Sequence, residues 1–454
     1  VQGMARVWGD NQPFGTFDFW RSSRLITPGD GQGHEITEFP FWTFLFADLH
    51  AHMMALPFTL LALGLALSVV IGATHGTRRL TNWNLEEILR LSALGVVVGS
   101  LRLLNAWDFP TYLAVAIVAL LIGDYLSHGG VGIAMVARTG LKSLIVFLVG
   151  YIVFLPFHLN NEAFFNGIEP TTNRTVLWQF LAIYGLFMFI VGSFFARECK
   201  RYLVASGWLL SLMPRWAPWG SSSIDVNHDG VRSKGILRTR TVRVASLALA
   251  ALAVIYMASV VLSGAVGSTI PFVAVMLFMV LVSAYKWLSA SRPDAPYLMF
   301  IAAIVGISLT LAIGLDVIRV EGDIDRMNSV FKFYLQIWVL LALGSSYLLW
   351  HLAHGSCVSL GRLALWKKAW LCALVVLIAS ASIYCVLGTH DRLRDRFQGQ
   401  ASLPLTLDGV AYAREAVYLD PKGLIDLSAD FEAIEWLRAN VKGSPVLLEG
   451  HTPS

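Results

Sequence analysis

The chain has 454 residues, of which 56% are hydrophobic and only 14% are charged. Soluble domains carry about 25% charged residues, so this composition excludes an ordinary soluble protein and predicts an all-α protein that crosses a membrane many times. The net charge is +4, and the basic residues lie in short segments between apolar runs, which argues against a nucleic-acid partner.

Residues 1–52 are polar and aromatic and contain no run long enough to span a bilayer, so we expect an N-terminal loop with an interfacial segment. Its last part holds four residues suited to chemistry: Glu38, Asp48, His50 and His52. In an extended segment Asp48, His50 and His52 point to one side, whereas in a helix Asp48 and His52 share a face. Both geometries suit a general base, or a divalent metal ion held by Asp48 and His52. The alternative is an aromatic anchor at the membrane surface.

The apolar runs predict a transmembrane domain over residues 53–388. A helix needs about 20 residues to cross the hydrocarbon core. We predict about ten spans: 53–74, 92–104, 109–127, 140–157, 176–196, 243–263, 269–288, 297–315, 329–350 and 368–388.

The loops between these spans differ strongly in basic residues. One alternating set holds nineteen Lys and Arg residues, and the other set holds three: Arg174, Arg319 and Arg326. The positive-inside rule places the first set in the cytoplasm and the second outside. Segments 38–52, 105–108, 158–175 and 316–328 then share the outer face, where their polar residues can converge on one cavity.

Two of these outward segments hold candidate substrate-binding residues. Asn105 and Asp108 lie in a short turn before Pro110, where Asp108 either caps the next helix or binds substrate.

The second such segment precedes the ninth predicted span. On a helix, Asp325, Asn328 and Lys332 share a face. Arg326 and Lys332 suit a lipid phosphate, and the alternative for Lys332 is an internal ion pair with Asp108.

Residues 389–454 have a soluble composition. A helix is predicted over 429–438 and a strand over 445–449, as at the start of an extracytoplasmic α/β domain. The sequence starts at Val1 without a signal peptide and ends abruptly at Ser454, so we expect a fragment.

Three motifs resemble those of DUF2298 (Chlor_Arch_YYY), an uncharacterised integral membrane protein family of archaea and Chloroflexi. They are Glu38-Phe-Pro-Phe with Ala47-Asp-Leu-His-Ala-His52, Asn105-Ala-Trp-Asp-Phe-Pro-Thr111, and Arg326-Met-Asn-Ser-Val-Phe-Lys-Phe-Tyr334. The resemblance covers most of residues 15–350. The family's commoner first motif has proline at the position of Ala51.

The family in turn resembles the GT-C glycosyltransferases, which are many-spanning enzymes that use polyprenyl-phosphate sugars. This resemblance implies transfer of a sugar from a lipid-linked donor at the outer membrane face. Asp48 would be the base or a metal ligand, assisted by His50, His52 and Glu38. The GT-C loop follows a first span, so an upstream span is expected beyond this sequence. The alternatives are a transporter or flippase for a lipid or polar solute, and a non-catalytic membrane scaffold.

Overall fold

The computed structural model describes residues 17–26, 35–75, 85–128, 130–161, 167–205, 268–289, 292–354, 364–396, 406, 408, 410–420 and 423–447. Within these ranges the helices, in chain order, are α1 (Pro40–Phe46), α2 (Ala51–His75), α3 (Leu85–Leu104), α4 (Asp108–His128), α5 (Ile133–Val153), α6 (Leu155–Asn160), α7 (Leu177–Ala205), α8 (Thr269–Ser289), α9 (Ala295–Leu315), α10 (Met327–Ala353), α11 (Leu365–Arg396) and α12 (Ser428–Asn440). The strands are β1 (Ile168–Pro170), β2 (Ile318–Val320), β3 (Val417–Asp420) and β4 (Gly423–Asp426).

Eight helices in the described part of the chain are long and apolar enough to cross a membrane: α2, α4, α5 and α7 to α11. This confirms the prediction of an all-α protein with many membrane spans. The predicted span 243–263 lies outside the described residues.

Two predicted spans differ in length from the helices observed. Residues 92–104 belong to α3, which is 20 residues long and starts seven residues earlier because Glu86 and Glu87 fall in its first turn, where acidic side chains are favourable. The predicted span 140–157 corresponds to α5, which already ends at Val153. The short helix α6 then begins with proline in its first turn, where the missing N–H costs no helical hydrogen bond.

The helices from α2 to α10 pack in two groups. Helices α2 to α5 contact one another in pairs, and so do α7 to α10. Helix α4 joins the groups by packing on α9 and α10. Within the first group, α3 and α5 approach each other closely at two glycines, because a Cβ added to Gly99 would lie 2.6 Å from the Gly150 backbone.

One end of this bundle brings distant parts of the chain together. Strands β1 and β2 pair there in an antiparallel ladder, with Glu169 opposite Arg319. Thr175, just before α7, is hydrogen-bonded to Tyr334 of α10 at 2.9 Å, and the Thr269 hydroxyl donates to the Thr175 carbonyl at 2.9 Å. The starts of α7, α8 and α10 are therefore fixed to one another.

The described residues of Val1–Arg21 and Ala379–Ser454 form a second compact unit. Within it, β3 and β4 form an antiparallel hairpin, and α12 confirms the predicted helix. The strand predicted from residue 445 was wrong as far as the structure describes it: residues 441–447 carry no strand, and Val446 is 99% exposed. An apolar run forms a strand only when a neighbouring strand pairs with it, and the described residues provide none there.

Candidate functional site

The loop that carries the predicted catalytic residues changes conformation twice within a few residues. Helix α1 is closed by Ala47 in the left-handed conformation, at φ 60°, with its N–H donated to the Thr43 carbonyl. The His50 N–H then donates to the Asp48 carbonyl at 2.7 Å, and α2 begins at Ala51. The segment is neither one strand nor one helix, so neither side-chain arrangement considered for it applies.

The four residues form two separate carboxylate–imidazole pairs. Asp48 Oδ2 lies 2.5 Å from His50 Nδ1, and both side chains are 48% exposed. Glu38 Oε2 lies 3.0 Å from His52 Nε2, and these two side chains are buried. The two imidazole centroids are 5.3 Å apart. Asp48 is therefore paired with His50 and not with His52, and Glu38 belongs to the buried part of the cluster.

The buried pair is held from more than one direction. The Thr43 hydroxyl donates to Glu38 Oε2 at 3.0 Å, the same oxygen that faces His52. His52 Nδ1 is buried and has no hydrogen-bond partner among the described residues. An ionised carboxylate only accepts hydrogen bonds, so the ring donates its Nε2–H to Glu38. Glu38 therefore fixes the orientation of the His52 ring.

The first turns of α10 bring an aromatic ring and an ammonium group to these histidines. The buried Phe331 ring lies 4.7 Å from the His52 ring and 6.4 Å from the His50 ring, edge-on to both. Lys332 Nζ lies 4.3 Å from the centre of the Phe331 ring. Lys332 is also near enough to Glu38 and Asp108 to feel their charges. In the described part of the chain no carboxylate comes within the 4.0 Å of a salt bridge to Lys332.

The turn between α3 and α4 also lies near Lys332. Asp108 and Asn105 are buried there, and the Asp108 N–H donates to the Asn105 carbonyl at 2.9 Å. Gln336, one turn after Lys332 on α10, donates to the Trp107 carbonyl at 3.0 Å. Asn105 and Gln336 both lie beside the Asp108 carboxylate. The predicted convergence of the first, second and third motifs thus brings Glu38, Asp108 and Lys332 to one place.

Arg326 takes a different position from the one expected. Its guanidinium is buried and makes five hydrogen bonds, two to Glu35, one to the Asp316 carboxylate, one to the Leu315 carbonyl and one to the Thr175 hydroxyl. A guanidinium has five N–H groups, so none is left for a phosphate. The prediction that Arg326 binds a lipid phosphate is corrected by this geometry, because its charge is used inside the protein.

The pKa values in this network follow from burial and from its charge balance. Burial raises the pKa of Glu35, and the neighbouring Arg326 only partly opposes that effect. Burial alone would lower the pKa of Arg326, but attraction to Glu35 and Asp316 outweighs it and raises that pKa. Two carboxylates share one guanidinium, so the arginine stays charged.

Asp325 does not share a helical face with Asn328 and Lys332. It precedes α10 and has φ 52°, and its carboxylate accepts a hydrogen bond from Asn173 at 3.4 Å. The helix begins at Met327 because Asp323 accepts the free N–H groups of Asn328 and Ser329 at 3.0 and 2.8 Å. Asn328, Lys332 and Gln336 follow one another at intervals of four residues on α10, as expected.

Sequence reasoning missed two residues that organise this region. Phe331 is an apolar residue on an apolar helix, where packing is the ordinary role, and only its position next to Lys332 could have drawn attention. Glu35 is a single acid in a polar segment, and its pairing with Arg326 spans 291 residues. No local pattern indicates such a contact.

The residues proposed as metal ligands do not form a metal site here. Asp48 and His52 face different partners, His50 and Glu38. Among the described residues no group of three or more His, Cys, Asp or Glu side chains could hold a metal ion. The donor set does not fit the expected divalent ion.

A family model described as "Uncharacterized membrane protein (DUF2298)" matches residues 1–341 of the 454-residue chain. The chain belongs to this family. Neither a curated protein nor a solved structure matches it. This DUF2298 protein is thus an integral membrane protein with several spans, and the matched region includes both carboxylate–imidazole pairs and Lys332.

Proposed function

We propose that this DUF2298 protein is a membrane transferase of the GT-C kind, which moves a sugar from a polyprenyl-phosphate donor to an acceptor hydroxyl. One observation carries the proposal. The Lys332 ammonium lies near the start of the membrane helix α10, beside the two carboxylate–imidazole pairs. Among the described residues, no carboxylate lies within salt-bridge distance of this ammonium. Charged and imidazole groups at the end of a membrane helix are costly and usually functional.

Lys332 would bind the phosphate of the donor. An ammonium is a compact point charge suited to phosphate, and this one is not neutralised by a close acid among the described residues. The apolar outer surfaces of the neighbouring helices suit a polyprenyl chain. Arg326, whose donors are all used within the protein, has no part in this site.

Asp48 would act as the general base. Its side chain is half exposed, so an acceptor can reach it, and His50 holds it in place. The acceptor hydroxyl gives its proton to Asp48 while its oxygen attacks the anomeric carbon of the donor. The bond from that carbon to the phosphate oxygen breaks, the electron pair leaves with the phosphate, and Lys332 stabilises the resulting charge. The buried Glu38–His52 pair would position the loop, and no step passes through a metal ion.

Asn105 and Asp108 would bind hydroxyl groups of the sugar. Gln336 Oε1 is buried beside Asp108 without a hydrogen-bond partner in the described part of the chain, and the Asn105 side-chain amide faces the same carboxylate. Buried polar atoms are rarely left unpaired, and sugar hydroxyls can both donate and accept. Asn328, one turn before Lys332, would extend this polar row, whereas Asp325 lies outside the helix.

The site would face outward, because the loops at the opposite ends of the spans hold nineteen of the basic residues counted above. A Glu321→Cys variant, with the native cysteines replaced by serine, tests this side. Glu321 is exposed in the loop just before α10. Labelling in intact cells by a membrane-impermeant maleimide supports the orientation, and labelling only after the cells are opened contradicts it.

Transfer of a labelled sugar from a polyprenyl-phosphate donor in proteoliposomes tests the reaction. We expect Asp48→Asn and Lys332→Met to lower the rate at least 100-fold, the usual scale for a general base. Glu321→Gln and Lys368→Met are matched controls at exposed positions and should retain activity. Full activity of Asp48→Asn would refute its role, and movement of the lipid across the bilayer without a covalent product would favour the transporter alternative.

A further inference from the structure

We infer that Phe331 is a positioning residue of this site: its ring contacts the Lys332 ammonium and both imidazoles, and thereby sets the affinity for the lipid phosphate. This inference rests on the proposed function for the identity of the ligand, a lipid-linked phosphate. Phe331 is apolar, and without this inference its expected role would be packing alone.

Three separate contacts converge on the one ring. The His52 and His50 rings lie at interplanar angles of 74° and 78° to it, an edge-on geometry that aromatic rings prefer over face-to-face stacking. Lys332 Nζ lies 4.3 Å from the ring centre, within the range of a cation–π contact. Removing the ring would therefore remove one contact from each of two imidazoles and from an ammonium.

The kind of contact matters for Lys332. A carboxylate within salt-bridge distance would hold the ammonium but would also neutralise it, whereas an aromatic ring holds a cation without a formal charge. Glu38 and Asp108 attract Lys332 from farther away. The ammonium is thus kept in place and still carries charge for an anion.

The neighbouring aromatic residue on α10 offers a matched control. Phe333 is partly buried, and its ring packs edge-on against Trp107 at 5.9 Å. Phe333→Leu removes a ring of the same size from the same helix without touching the contacts that Phe331 makes. Phe331→Tyr keeps the aromatic face, and Phe331→Leu removes it.

Binding to the purified full chain in nanodiscs tests the role of the ring. The probes are a short polyprenyl monophosphate, the matching uncharged polyprenol, and inorganic phosphate. We expect Phe331→Leu to weaken binding of the polyprenyl monophosphate about three- to thirty-fold, as loss of a partly buried cation–π contact predicts. Polyprenol binding should stay unchanged, and Phe331→Tyr and Phe333→Leu should bind like the unsubstituted chain. Inorganic phosphate binding that depends equally on Phe331 would identify a free phosphate as the ligand and contradict the lipid source.

Melting temperatures of the two leucine variants separate positioning from simple packing. Both substitutions remove a ring of the same size and should lower the melting temperature, but only Phe331→Leu should weaken binding of the polyprenyl monophosphate. Equal affinities of the two leucine variants for this probe would overturn the inference. If Phe331→Leu does not fold, Phe331→Met gives the same comparison with a flexible side chain. If the unsubstituted chain transfers no sugar but its phosphate binding still depends on Phe331 and Lys332, the proposed function is refuted and this inference remains supported.

Discussion

His52 Nε2 lies 3.0 Å from Glu38 Oε2, so the first residues of α2 are tied to a carboxylate that lies before α1. Helix α1 and the turn that follows it form the loop between the two partners. The second carboxylate–imidazole pair, Asp48 with His50, lies on this loop and is half exposed. The buried pair thus supports the segment on which the exposed pair is presented.

This difference in burial predicts a difference in stability. Glu38→Ala leaves the buried His52 Nε2 without its partner, and loss of a buried hydrogen bond to a charged group costs about 1.5–3 kcal/mol. Asp48→Ala breaks an exposed pair, for which about 0–1 kcal/mol is typical. The measurement is the free energy of unfolding in mixed micelles from denaturant titration. Equal losses for the two variants would contradict the assignment of Glu38 as the structural partner.

The buried arginine gives a second prediction. Arg326→Lys keeps the positive charge but cannot reproduce the paired hydrogen bonds to Glu35, so we expect a loss of roughly 3 kcal/mol in the free energy of unfolding. Arg319→Lys is the matched control, because Arg319 pairs with Glu169 on the surface of the β1–β2 ladder. A loss no larger than that of the control would show that the Arg326 network contributes little.

The sequence predicted part of this site, and the type of sequence pattern explains which part. Long apolar runs and alternating basic loops placed Glu38, Asp108 and Lys332 at one end of the bundle, because consecutive spans must reverse direction. The same signals could not tell Lys332 from Arg326, since both are basic residues beside the same helix start. Only the three-dimensional partners of Arg326, Glu35 and Asp316, separate a structural cation from one available to a ligand.

Local backbone conformation also limited what could be predicted about the site from the sequence. The pairing of Asp48 with His50 depends on the left-handed Ala47, and alanine gives little indication of that conformation in a sequence. The start of α10 likewise depends on Asp323, which accepts two backbone N–H groups and leaves Asp325 outside the helix. At such helix ends, helical spacing does not predict which side chains share a face. The hydrogen bonds of a capping side chain decide which residue is the first of the helix.

The contact between α3 and α5 predicts a steric effect. A methyl group at Gly99 would lie 2.6 Å from the Gly150 backbone, so Gly99→Ala must push the helices apart, at a cost of about 1–3 kcal/mol in the free energy of unfolding. Gly64 in α2 has no atom within 4 Å of such a methyl group among the described residues. Gly64→Ala should therefore be neutral or slightly stabilising, by about 0.5–1 kcal/mol. Thermal melts of the two variants in the same detergent compare them directly, and equal destabilisation would refute the close helix contact.

The pH dependence of stability is predicted for Asp294, in the turn before α9. Two hydrogen bonds from Arg292 and one contact with His351 hold its pKa at about 2, below its ordinary 3.8. Because the folded pKa is the lower one, the stabilisation is present above about pH 4 and is lost as the pH falls toward 2. Asp294→Asn should lower the melting temperature at pH 6, and its difference from the unsubstituted chain should shrink at pH 3. A difference that does not change with pH would contradict this ionic role.

The most direct measurement is an experimental density map of the full chain with a bound polyprenyl phosphate. We expect density for the phosphate within about 3–4 Å of Lys332 Nζ, on the side of Asp48 and Asp108, with Arg326 still bonded to Glu35 and Asp316. Phosphate density on the Arg326 guanidinium, or a Lys332 ammonium paired closely with Asp108 in the presence of the lipid, would contradict it.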